Sequence, residues 1–546
     1  GTGAAGSVNL TADAITVERD GTIAASTING QQQDVGNDGQ VRLVTDTLTV
    51  QSGGQVQVVT TGTGDAGDIT VTGRTRPEAT RVTVDGIGTV IDPLTNQLRR
   101  SGLVSSSNFS GRTAGQAGSI GITADQITVA NNGQLAASTR GGQGGQVNLN
   151  TDLLEVQSGG QVTAATSGSG NGGQVNVNDD GELDAQPLVV AVDGGSINTT
   201  ASGSGNAGQV NITADTVTVA GAGGVIASSS TATGDGGSVG ITANRITVAS
   251  NGQIAATTVD GDGGQVNLNT DLLEVQSVGQ VTAATSGSGN GGQVTVLDDV
   301  EVDNQSLVVD VDDGAINTTA SGAGDAGTVN ITAQSVTVGG VGGLIASSST
   351  GSGAAGSVNL TADTITVERD GTIAATTVDG QQKDLTDDGQ VKLFTDVLTV
   401  ESGGQVRVDT TGAGNAGNIT VTASEAVTAS GFSGSVGQPN FQASGLVSGS
   451  SGTGLDAGAA GSITVTADQV SLDDRAQIAA TTVDGGQGAQ RGDITLNVGT
   501  LALTTEAVVT AGTTGAGQAG KIQVRGVDGV SQASNVALGA RSGIAT

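Results

Sequence analysis

No Cys, His, Met, Trp or Tyr occurs in this chain, and Phe and Pro occur four times each. Without Cys there is no disulfide framework and no thiolate nucleophile. Without His, Cys and Met the usual ligands of zinc, copper and haem are missing, and a Ser nucleophile would have no imidazole base. Basic residues are also scarce. Lys and Arg total 19 against 52 Asp and Glu, a formal charge of -33. That balance argues against binding nucleic acid or an anionic membrane surface, both of which require clustered Lys and Arg. No apolar run reaches the roughly 18 to 20 residues of a membrane span, so none is expected, and no charged-then-apolar leader opens the chain. The absence of Met and the start inside a repeat lead us to expect a processed or partial piece of a longer polypeptide.

What the chain has in quantity is Gly, 94 of 546 residues, with only 13% charged residues and apolar positions filled mainly by Val, Ala, Leu and Ile. The segment from Gly6 to Thr27 sets the pattern. Val8, Leu10 and Ala12 alternate with polar residues, then Ile15 and Val17 do so, then Ile23 and Ala25. Period-two patterning with one apolar face marks half-buried strands, and its regular recurrence excludes disorder despite the Gly content. Seventeen Gly residues open such units, at 6, 39, 67, 118, 145, 173, 208, 237, 264, 292, 327, 356, 389, 417, 461, 492 and 520; most lie 27 to 35 residues apart.

A period of this length means a solenoid or a propeller. A propeller blade needs four antiparallel strands and usually carries aromatic marks such as Trp-Asp, and none is present. The expected fold is therefore all-β: an elongated parallel β-helix of about 17 coils, three short strands per coil, with each strand pairing with its counterpart one coil away. At a strand spacing of ~4.8 Å such a rod is roughly 80 Å long. Right-handed coiling is favoured by the chirality of parallel crossovers.

We expect residues 1 to 546 to form a single continuous shaft. Within it GQVNLNTDLLEVQS at 145 to 158 recurs unchanged at 264 to 277, so four coils make a block, near 118 to 236 and 237 to 355. Residues 1 to 73 also closely match 351 to 423. Thr11, Thr123, Thr213, Thr242, Thr332 and Thr361 share one outward register; Asn9, Asn148, Asn211, Asn267, Asn330 and Asn359 share another. Such ladders stabilise a rod, since β-branched Thr suits strand geometry and stacked Asn amides bond between coils. A flat Thr ladder could also meet ice or a regular polymer.

Recognition is expected where copies deviate. Insertions at 85 to 100 and 431 to 443 fall at the same corner, between a second and a third strand. Arg99 and Arg100, within a wider group formed by Arg74, Arg76, Arg81 and Arg112, are the binding candidates in the first; Phe432 and Phe441 are those in the second. The competing reading is a loop that only braces the shaft. Grouped carboxylates at Asp298, Asp299, Asp310, Asp312 and Asp313 are weak Ca²⁺ candidates, as are Asp384, Asp387 and Asp388, although neither follows the EF-hand or the β-helix nonapeptide spacing. Otherwise no cofactor is expected; solvated charge that keeps a repetitive rod soluble explains these residues as well. Arg491-Gly492-Asp493 spells an adhesion tripeptide but sits on a strand-opening Gly, and the Asn-x-Thr sequons follow from the ladders.

Catalysis would have to use paired carboxylates, or Ca²⁺ with Lys or Arg, and almost every coil repeats its neighbour, so no enzyme is expected. The repeats GSGNAGQVNITADTVTV (203 to 219) and GNITVTA (417 to 423) after TGAGNA resemble the shaft repeats of filamentous-haemagglutinin-like exoproteins, closest to long versions in filamentous photosynthetic bacteria. The resemblance covers nearly the whole chain. It implies a right-handed parallel β-helix, export by two-partner secretion, and a structural or adhesive role at the cell surface or in the extracellular matrix. The partners it implies are other copies of the chain, as in a homopolymer, or neighbouring cells and extracellular glycans. A β-helical carbohydrate-active enzyme or carbohydrate-binding module is the alternative from another class. The units here are longer than the coils of roughly twenty residues in the best-known members of that family, so the cross-section is expected to differ.

Overall fold

The computed structural model describes residues 5–27, 39–92, 96–109, 114–181, 186–299, 305–378, 389–412, 414–452, 458–483, 492–515 and 518–546. Every regular element among them is a β-strand, and the strands form a parallel β-solenoid of about 16 turns with stacked coils. The chain divides into two compact units, Gly1–Thr270 and Asp271–Thr546.

Within the first unit Ser7–Val17 pairs in parallel with Gln40–Gln51, placing Val8 beside Val41 and Ile15 beside Leu48. Within the second, Ser357–Val367 pairs in the same way with Gln390–Glu401. Within each unit such strands form a sheet. The third run of each coil forms a second sheet, as Gln55–Thr60 does with Gly102–Ser107 and Gln405–Thr410 with Gly445–Ser450. Among the described residues the first unit holds eight such third-run strands and the second nine, against the seventeen coils expected.

One detail differs from the expected three short strands. The first two runs of a coil lie in the same sheet, fused in eleven-residue strands such as Ser7–Val17 and Ile463–Asp473 and interrupted only where extra residues or a bend intervene. A single residue between the runs turns the strand without breaking the ladder. At that bend the interior Thr45, Thr151 and Thr395 donate their hydroxyls to carbonyls of the preceding coil, at Asp13, Asp125 and Asp363 (3.2, 3.1 and 3.0 Å). The alternation slips by one residue at the bend, where Asp46 and Thr47 both lie between the buried Thr45 and Leu48, so sequence periodicity alone reads two strands where the backbone makes one.

Alternation sets the core. In one coil Val41, Leu43, Leu48, Val50, Val56 and Val58 are all buried, and the same positions recur coil after coil. Each such side chain contributes about 1.5–3 kcal/mol by leaving water. The interior is narrow enough that aliphatic residues fill it without aromatics. Buried hydroxyls satisfy the backbone where coils open: Ser105 Oγ donates to Gly67 O at 2.7 Å and accepts from Gly118 N at 2.9 Å. Ser448 does the same with Gly417 O and Gly461 N.

The expected ladders are present on the outside. Asn176 donates to Asn148 at 2.7 Å and Asn211 to Asn176 at 3.1 Å in the first unit; Asn359 donates to Asn330 at 2.9 Å in the second. Thr213 stands beside Thr242, and Thr332 beside Thr361. The corner between the sheets is a two-residue turn whose central residues both have positive φ, as at Asn131 and Asn132 (48° and 67°), closed by Gly133 N donating to Ala130 O at 2.7 Å. That is the geometry in which Asn, Asp and Gly are least strained.

Candidate functional site

Both insertions fold as antiparallel hairpins that leave the solenoid at this corner. In the first, Ile87–Asp92 pairs with Gln97–Arg100. In the second, Phe432–Ser433 pairs with Gln442–Ala443. Their necks are built alike. Gln55 Nε2 donates to Arg100 O (3.1 Å) and Gly53 N to Ser101 Oγ (3.0 Å); Gln405 Nε2 donates to Ala443 O (3.0 Å) and Gly403 N to Ser444 Oγ (2.9 Å). Ser101 N donates to Gly86 O, and Ser444 N to Gly431 O, which pinches each neck shut. Gln55, Gln405, Ser101 and Ser444 are all buried. Two separate insertions thus rise from one repeated clamp and differ beyond it.

The first hairpin bends back over the two preceding coils. Asp20 accepts from Thr89 N (3.2 Å) and Thr89 Oγ1 (2.9 Å). Arg99 Nη1 donates to Asp20 O (3.2 Å), and Nη2 bonds Thr22 Oγ1. Burial raises the Asp20 pKa, but the Thr89 hydroxyl and amide, the Val90 amide and the Arg99 charge outweigh it and hold the carboxyl below its ordinary value. Gly88 suits this approach, because a Cβ on it would lie 1.9 Å from Asp20 Oδ1 and 2.8 Å from the Gly53 backbone. Arg99 therefore holds the hairpin to the shaft. The outer surface of the hairpin carries Ile87, Val90, Ile91 and Leu98, all exposed.

In the second hairpin the rings of Phe432 and Phe441 meet with centroids 5.3 Å apart and planes tilted by 41°. The Arg475 guanidinium from the next coil lies 5.3 Å from the Phe432 centroid. Arg475 Nη2 pairs with Glu506 Oε2 at 2.7 Å, and Arg541 Nη1 pairs with Glu506 Oε1 at 2.9 Å. Hydrogen bonds from Arg541 and then Arg475 hold the Glu506 pKa below its ordinary value. The two predicted aromatics are brought together as one half-buried pair, with Val436 exposed at the tip.

The wider arginine group does not gather around the first hairpin. Arg74 and Arg76 lie at the bend between the first and second runs and address a column of aspartates. Asp46 Oδ1 accepts from Arg74 N (3.1 Å) and from the amide and hydroxyl of Thr75 (3.3 Å each), which lowers its pKa. Arg74 pairs with Asp13. Arg76 bridges the buried Glu78 (2.9 Å) and Asp125 (2.6 Å). Arg81 is exposed, and Arg112 lies outside the described residues.

The column continues along the first unit. Asp125, Asp152 and Asp180, from three successive coils, bring carboxylate oxygens within 4.8 Å of one another, each half-buried. Among the described residues this is the acidic group whose spacing suits a metal ion. Hard cations such as Ca²⁺ take oxygen ligands, six to eight in number, so three carboxylates supply part of a shell. Sequence reading passed over this group. The available signal was register: an Asp recurs just before the second run at 13, 46, 125, 152, 215, 271, 363, 396 and 468.

The predicted acidic candidates are arranged differently. Asp310 lies beside Glu274 in register, and Asp312 beside Gln276. Asp312 pairs with Arg369 at 3.2 Å, and Asp313 Oδ1 accepts from Gly342 N at 3.2 Å. Burial, then the charges of Asp312 and Glu274, push the Asp310 pKa up. Asp298 is exposed and Asp299 buried. Asp384, Asp387, Asp388 and Arg491 lie outside the described residues.

No family model matches the chain, and neither a curated protein nor a solved structure matches it.

Proposed function

We propose that this chain is the shaft of a secreted structural and adhesive surface protein, displaying the two hairpins for contacts with neighbouring cells, the cell surface or the extracellular matrix. The observation that supports this reading is the repeated clamp. Coil after coil keeps the same buried alternation and satisfies its backbone by pairing with its neighbours, while the largest departures sit on the necks formed by Gln55 with Ser101 and by Gln405 with Ser444. A rigid repeat carrying variable tips at one corner is how a scaffold presents recognition surfaces. The finer assignment, a filamentous-haemagglutinin-like exoprotein exported by two-partner secretion and working as a continuous shaft, rests on the repeat resemblance. Self-association into a homopolymer or fibre belongs to the same proposal, and catalysis is not part of it.

Electron microscopy of native material, with antibody raised against the shaft, tests this. Labelled rods or fibres at the cell surface are expected. Label confined to the cell interior would overturn the reading.

A further inference from the structure

Five successive coils of the first unit share a polar groove of about 640 Å³ that runs along the stack, across the openings at Gly145, Gly173, Gly208, Gly237 and Gly264. Its floor is bare backbone because the coils touch there: a Cβ on Gly208 would lie 1.8 Å from Gly173 O. Its wall is a ladder of amides and one hydroxyl, with Gln146 beside Gln174, Gln174 beside Gln209, Gln209 beside Ser238 and Ser238 beside Gln265. The Asn ladder two residues on bonds to itself. The side-chain amides of Gln146, Gln174, Gln209 and Gln265 make no hydrogen bond to the described residues.

We propose that this groove binds an uncharged, hydroxyl-rich polysaccharide strand lying along the stack of coils. A carboxamide both donates and accepts, which is the pairing that sugar hydroxyls offer in return. A repeat of such groups at coil spacing presents the same contact again and again, so a polymer gains by multivalency what each weak contact lacks. The lining contains no Lys or Arg, and Asp235 and Asp262 flank it, which disfavours an anionic polymer. An extended peptide would need a free strand edge or apolar pockets. The backbone amides here are already taken, Gly145 N by Ala137 O, Gly173 N by Ala164 O and Gly208 N by Thr199 O, and the lining is polar. The site is independent of the hairpins.

Co-sedimentation of the full chain with insoluble cellulose, curdlan and mannan, and affinity electrophoresis in dextran, test the proposal against polygalacturonate as an anionic control. The chain is expected to bind at least one neutral glycan and not polygalacturonate. The triple variant Gln174→Ala, Gln209→Ala, Gln265→Ala is expected to lose binding about tenfold or more, as the loss of three neutral hydrogen bonds implies. These side chains point outward, so its melting temperature is expected to match the parent, and excision of both hairpins is expected to leave glycan binding unchanged. Failure on all four neutral glycans overturns the proposal. So does binding that the triple variant retains in full, or binding to polygalacturonate at equal strength.

Discussion

The Arg475 guanidinium covers the face of Phe432, 5.3 Å from its centroid, while the same group is paired with Glu506. The second hairpin is thereby tied to the coil after it, as the first is tied by Arg99 to Asp20, two coils before it. A double-mutant cycle of Phe432→Ala and Arg475→Ala should give a coupling of about 0.5–1 kcal/mol. Hydrogen exchange of the amides at 431 to 443 reads it locally, and strictly additive effects would show that the two do not interact.

The clamp predicts equal costs at distant places. Ser101→Ala and Ser444→Ala each strand a buried amide, Gly53 N or Gly403 N, at about 1–3 kcal/mol. Denaturant unfolding of the two variants should show losses of similar size. A large loss at one site and none at the other would mean that the necks are not equivalent.

Val278 is a β-branched residue at φ 65°, in a turn where the other copy of the block has Gly159 at φ 79°. It is largely exposed, so it gains little by packing. A left-handed conformation costs a non-Gly residue about 1–2 kcal/mol. Val278→Gly is therefore expected to raise the melting temperature, and a lowered one would show that this strain is absent.

Asp310 faces Glu274 and Asp312, with Glu368 and Arg369 next along the stack; burial, then Asp312 and Glu274, raise its pKa above 3.8. A carboxyl whose folded pKa is raised costs stability wherever it is ionised in both states. That stability returns as pH falls through the raised folded value toward 3.8. Asp310→Asn should thus raise the melting temperature near neutral pH, and this gain should vanish well below 3.8. A gain independent of pH would assign the effect to packing.

Most of the shaft was legible in the sequence because the solenoid repeats one local rule: alternation fixes which face is buried, and Gly marks where coils touch. Val41, Leu43 and Val56 could be placed inside from pattern alone. The fused first strand was not legible, since the buried phase slips by one residue between Thr45 and Leu48, which in a sequence reads as a strand boundary. At the insertions the position was legible but the direction was not: Arg99 is an exposed type of residue whose partners, Asp20 and Thr22, lie 77 or more residues away. The Asp125, Asp152 and Asp180 group was missed because its members are 27 and 28 residues apart and meet only through stacking.

The most direct test of a scaffold with recognition on its hairpins is cell and matrix binding by a chain lacking 87 to 100 and 432 to 443. Ser101 N already meets Gly86 O and Ser444 N meets Gly431 O, so both corners can close without the hairpins. The expected result is an unchanged β-sheet spectrum and melting profile with hairpin-borne binding to cells and matrix lost, while binding of neutral glycan by the groove is kept. Binding retained in full by this folded variant, or collapse of the shaft on excision, would contradict it.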